Sequence, residues 1–125
     1  MKRAWALILC AVVLAWATGC RQPKKVLTEL DKQQVKDNVL GQAPAGADIV
    51  PLNANFEDQV TLLSYSVNKQ RVKPGDAIAL TLYWKSVAQV SGDFKIFVHL
   101  DSSRARKTYD HYAINGLYPT ANWVP

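Results

Sequence analysis

From Phe56 onward, apolar and polar side chains alternate with a period of two, the spacing that places every second side chain on one face of a strand. Val60 to Val67 (VTLLSYSV) is a β-branched and aromatic run, broken by Asn68-Lys69-Gln70. Lys73-Pro74-Gly75-Asp76 sets Pro and Gly in succession and predicts a turn. Ala77 to Trp84 then alternates, with Ile78, Leu80, Leu82 and Trp84 on one face and Ala77, Ala79, Thr81 and Tyr83 on the other. After a turn at Ser91-Gly92-Asp93, Phe94 to Leu100 predicts a third strand, with Phe94, Ile96, Val98 and Leu100 opposite Lys95, Phe97 and His99. Asp101 to Lys107 (DSSRARK) reads as a polar, basic loop. Short strands between turns, with no long helical pattern, predict a mainly β fold built as an antiparallel sandwich.

Upstream the pattern changes twice. Gly41 to Pro51 (GQAPAGADIVP) reads as a linker, so the β module is expected over 51–125. Arg21 to Asp37 is polar, with five basic and three acidic residues. Its apolar side chains (Val26, Leu27, Leu30, Val35) and Val39 beyond it gather on no narrow stripe, which predicts a tether of weak helical tendency over 20–50.

Before the tether, Lys2 and Arg3 precede the uncharged apolar run Ala4 to Ala17. Those fourteen residues fall short of the roughly 20 that a helix needs to span a bilayer core, so 1–19 reads as a secretory leader. It closes on Ala17-Thr18-Gly19-Cys20, which resembles the lipobox of bacterial lipoproteins. The resemblance implies cleavage before Cys20 and acylation of its thiol. Each buried CH₂ is worth about 0.8 kcal/mol, so two or three acyl chains would anchor the protein durably. The alternative is an ordinary secretory leader cut at a small-residue site, with Cys20 incidental. The resemblance also implies the extracytoplasmic face of a bacterial membrane, and the outer membrane where the cell has one, because Arg21 rather than Asp follows the Cys.

Composition narrows the chemistry. The two cysteines are Cys10 and Cys20, so a processed, acylated chain would keep neither a disulfide nor a thiolate nucleophile. The net charge of +5 falls to +3 once Lys2 and Arg3 are removed, too mild to argue for nucleic acid, and no nucleic-acid motif is present. No cofactor motif appears either, since none of the six glycines forms a phosphate-cradling loop.

Lys73-Pro74-Gly75-Asp76, Leu80-Thr81-Leu82-Tyr83-Trp84, Phe97-Val98-His99-Leu100 and Gly116-Leu117-Tyr118-Pro119-Thr120-Ala121-Asn122-Trp123 together resemble a bacterial β-sandwich domain. That domain is found at the carboxyl end of dolichyl-phosphate-mannose-type membrane glycosyltransferases and in envelope proteins. The resemblance covers about Asn53 to Pro125 and implies an immunoglobulin-like sandwich with an accessory or binding role and no catalytic residue. Two departures stand out: Ser102 to Lys107 replaces a Gly-containing hairpin turn, and the family continues beyond the Trp with Gly-Glu and further strands. Such a sandwich takes about 100 residues and seven strands. Asp48 to Pro125 offers four or five, so an incomplete sandwich is expected, from a truncated frame or one that needs a partner, with open strand edges.

The candidate ligand-facing residues are Tyr83, Phe97 and His99, an aromatic patch suited to stacking on a sugar ring if the aliphatic faces point inward. A second buried face is the competing reading. His99, Asp110 and His111 are the one His/carboxylate grouping with metal-ligand chemistry, but adjacent strand residues point to opposite faces and no ligand spacing supports them, so no metal is expected. Arg104, Arg106 and Lys107 could meet phosphate or simply remain solvated. Serines outside any nucleophile-elbow context and acidic residues at turns argue against hydrolase chemistry. The expected function is a membrane-anchored, non-catalytic module that binds carbohydrate or an envelope protein, the alternatives being an accessory part in glycan transfer or a fragment with no function of its own.

Overall fold

The computed structural model describes residues 25–125; the leader and Cys20 lie outside the described residues. The order is helix α1 (Glu29–Asn38), then strands β1 (Val50–Phe56), β2 (Val60–Val67), β3 (Leu80–Ser86), β4 (Lys95–Ile96), β5 (His99–Asp101), β6 (Arg106–Thr108) and β7 (His111–Tyr112). Two 3₁₀ turns follow, Ala113–Gly116 and Thr120–Asn122. No helix among the described residues is long and apolar enough to cross a membrane.

Strands dominate and every pairing is antiparallel, as the alternation predicts. Among the described residues they form one three-stranded sheet in the order β1-β2-β3 and two short ladders, β4-β7 and β5-β6, and none of the sheets is closed.

The tether contains a full helix rather than a weak tendency. Thr28 and Asp31 form a capping box: the Asp31 N–H donates to Thr28 Oγ1 at 3.2 Å and the Thr28 N–H to Asp31 Oδ2 at 2.9 Å. These bonds hold the Asp31 carboxyl below its ordinary value. No residue of α1 is buried, so caps and local pairs such as Lys32–Glu29 carry it, not an apolar stripe.

β1 starts at Val50, in the last residues of the segment read as a linker and ahead of the alternation that sets in at Phe56. Pro51 and Asn53, the latter at φ 55, make this strand look like loop, yet Pro is tolerated at a sheet edge and Asn in left-handed backbone. At the other end the predicted strand Ala77–Trp84 starts only at Leu80. The turn before it is as expected: the Asp76 N–H donates to the Lys73 carbonyl at 3.0 Å, with Gly75 at φ 94.

A bulge sets the faces of the sheet. Leu62 pairs with Trp84 and Ser64 with Tyr83, so Leu63 is an extra residue and the side-chain period is re-phased. Val60, Leu62, Tyr65 and Val67 therefore share a face with Leu80, Leu82 and Trp84, joined by Val50, Ala54 and Phe56 from β1. The Phe56 and Trp84 rings meet there at 5.6 Å. This face is only half covered, with Phe56 47% and Leu80 43% exposed. The indole N–H of Trp84 is buried without an acceptor among the described residues.

The buried apolar residues among those described are Val90, Ala113 and Leu117, all outside the large sheet. Thr120, itself 5% exposed, lies in the same part of the chain and ties it together with three bonds. Its Oγ1 accepts from the Phe94 N–H at 2.7 Å and donates to the Gly92 carbonyl at 2.7 Å, while its N–H donates to Asp93 Oδ1 at 3.2 Å.

Candidate functional site

β4 to β7 make one hairpin. Lys95 pairs with Tyr112, Ile96 with His111, His99 with Thr108, Leu100 with Lys107 and Asp101 with Arg106, a register that runs unbroken through the gap at 97–98. The Tyr109 N–H donates to the Val98 carbonyl at 2.8 Å across that gap, which places Phe97 opposite Asp110. The predicted strand Phe94–Leu100 thus has the right direction and register, although its ladder is interrupted and it runs one residue further, to Asp101.

The segment read as a loop supplies the return strand. Its turn needs no glycine because the Ser102 hydroxyl organises it, accepting from the Arg104 and Ala105 N–H groups at 3.3 and 3.0 Å and donating to the Ala105 carbonyl at 3.0 Å. Asp101 and Arg106 close the turn with a two-pronged ion pair at 2.6 and 3.0 Å. That pairing holds the Arg106 guanidinium above its usual value.

Alternation along this hairpin puts Lys95, Phe97, His99 and Asp101 on the same face as Arg106, Thr108, Asp110 and Tyr112. Phe97 is 69% exposed and stands edge-on to the His99 imidazole at 6.3 Å between ring centres. His99 Nε2 lies 3.2 Å from Asp110 Oδ1. That contact is close enough for an ion pair when the ring is protonated but out of line for a hydrogen bond, so Oδ1 is buried without a hydrogen-bond partner among the described residues. The Lys95 ammonium sits 5.7 Å from the centre of the Tyr112 ring.

Of the three candidate ligand-facing residues, Phe97 and His99 come together on the hairpin, and Tyr83 stands in the three-stranded sheet. Tyr83 lies on β3, on the face opposite Leu82 and Trp84, where it pairs with the buried Ser64. Tyr83 therefore belongs to the three-stranded sheet, and Phe97 and His99 to the hairpin. The His/carboxylate grouping divides as well: His99 and Asp110 meet, whereas His111 occupies the other face with Nδ1 2.9 Å from the Tyr109 carbonyl. Among the described residues no cluster of three or more His, Cys, Asp or Glu is placed to hold a metal.

Chemically, the face offers an exposed aromatic ring beside an imidazole and a carboxylate. The ring can cover the apolar side of a saturated sugar while the polar pair exchanges hydrogen bonds with its hydroxyls. Two surface depressions of about 420 and 320 Å³ lie elsewhere, at the end of the large sheet around Asp48, Val67 and Gln70. Asp110 was weighed in the sequence only as a metal ligand and Tyr112 not at all; the usable signal for placing both on this face was the same alternation continued past the turn, His111 falling out of phase with Asp110.

Comparison with family models, curated proteins and solved structures finds no match to the chain.

Proposed function

We propose that the protein is a bacterial envelope lipoprotein, anchored through acylated Cys20, whose β module carries no catalytic site and binds carbohydrate through the Phe97–His99–Asp110 face of its hairpin. The lipobox-like Ala17-Thr18-Gly19-Cys20 supports the anchor, together with an extracytoplasmic location. One observation carries the binding reading: an aromatic ring 69% exposed, fixed against an imidazole that contacts a carboxylate. A strongly exposed aromatic ring gains little where it is, and stacking on a sugar would bury it beside ready hydrogen-bonding groups. In fold terms the module is read as an incomplete immunoglobulin-like sandwich, its large sheet supplying one layer and the hairpin part of the other.

The test is a glycan panel probed with the full chain purified from cells fed labelled palmitate. The expected result is label on the wild type and none on Cys20→Ala, with glycan binding weakened at least about tenfold by Phe97→Ala, equivalent to about 1.4 kcal/mol. Tyr83→Ala should bind like the wild type. Absence of binding to every glycan, or equal binding by Phe97→Ala, would overturn the reading of the hairpin face; a labelled Cys20→Ala would overturn the anchor.

A further inference from the structure

The two edges of the large sheet are built differently. On β1, Pro51 removes one N–H, Asn53 bends the backbone at φ 55, and the register with β2 shifts between Pro51 and Ala54. Those are the devices that stop a second strand from adding to an edge. β3 has none of them. Its seven residues, LTLYWKS, contain no Pro and no Gly, no positive φ, and one charge, Lys85.

The bonding direction along β3 follows from its start. Asn68 donates its N–H to the Ala79 carbonyl at 3.1 Å and accepts the Ala79 N–H on its side chain at 2.8 Å, so position 79 bonds towards β2. By alternation Thr81 and Tyr83 do the same, and the N–H and C=O groups of Leu80, Leu82 and Trp84 point away from the sheet. No strand among the described residues takes them up.

We infer that the open edge of β3 pairs with β3 of a second copy of this chain, antiparallel and about a two-fold axis, to make a continuous six-stranded sheet. The strand is complementary to itself. An antiparallel register that keeps like faces together and overlaps most of β3 centres on Leu82 or Tyr83. In the first, Trp84 faces Leu80 of the second copy and Lys85 faces Ala79; in the second, Trp84 faces Leu82 and Lys85 faces Thr81. Either way the apolar residues oppose apolar residues and the lone charge never faces its own copy. Pairing would also extend the half-covered apolar face across both chains, adding cover to Leu80, now 43% exposed. This goes beyond the proposed glycan binding, which uses a different sheet.

Sedimentation of the full chain in mild detergent over a range of concentrations tests it. The wild type is expected to shift from monomer to dimer as concentration rises. Leu82→Pro removes an N–H that points outward and spares the ladder to β2, so it should stay monomeric with an unchanged far-ultraviolet circular dichroism spectrum. A second variant, Thr81→Lys with Tyr83→Lys, sets like charges across the pair and should also stay monomeric, which keeps the test decisive if the proline variant unfolds. A wild type that remains monomeric throughout, or a dimer that survives the lysine variant, overturns the inference.

Discussion

Strands β1 to β3 and the stretch from Val90 to Trp123 are held together by different means. The sheet has long ladders and a broad apolar face, yet the exposed Phe56 and Leu80 show how little of that face is covered. The later stretch has only short ladders but buries Val90, Ala113 and Leu117, and the Thr120 hydroxyl and N–H tie its end to Gly92, Asp93 and Phe94. Where a chain of this size buries little, a single satisfied polar side chain can hold loops in place that no ladder reaches. The cost of removing it then exceeds that of removing an aromatic from the open face.

The largest effect expected from this contrast is that of Thr120→Val. It keeps the shape but leaves the Phe94 N–H and the Gly92 carbonyl unpartnered in a partly buried site, a loss of about 2–4 kcal/mol. Amide exchange should accelerate over 90–123 and stay slow in β2 and β3; uniform acceleration would mean that the two regions unfold as one. Phe56→Ala is expected to cost less, about 1–2 kcal/mol, because the ring is already 47% exposed and loses mainly its contact with Trp84. Its signature in denaturant titration is the reverse, with the large sheet loosening first, and an effect larger than that of Thr120→Val would break the comparison.

The smallest effect tests α1, which belongs to neither region. Asp31 has a depressed carboxyl through its bonds with Thr28, so its contribution to the helix is present above the ordinary value of 3.8 and is lost as pH falls through the lower folded value. Helical carbon chemical shifts of residues 29–38 should therefore decline on acidification below pH about 4. Shifts that hold down to pH 2 would show that the cap does not carry the helix.

Much of the fold was legible because alternation is a direct record of which face a side chain occupies. Val60 to Val67 matches β2 at both ends, and Phe94 to Leu100 names the first arm of the hairpin. β1 was not legible, since Pro51 and Asn53 are loop residues that an edge strand accepts. α1 was missed for the converse reason: the apolar pattern says nothing where no face is buried, and the signal was the Thr28–Asp31 spacing. For the candidate site, Phe97 and His99 could be paired from the sequence because they lie two apart on one strand. Tyr83 could not be separated from them, because period-two patterning assigns a face within a sheet and says nothing about which sheet. Asp110 joins His99 through long-range register, set by the Ser102 turn.

The extra residue at Leu63 also bears on how this chain should be lined up against others. Without it, the strand would read Val-Thr-Leu-Ser-Tyr-Ser-Val, seven residues in unbroken alternation against the seven of β3. A homologue whose strand is regular would therefore match this one only with a one-residue gap at position 63. Forcing the two together without that gap would pair inward residues with outward ones along half the strand and make a true relationship look like chance.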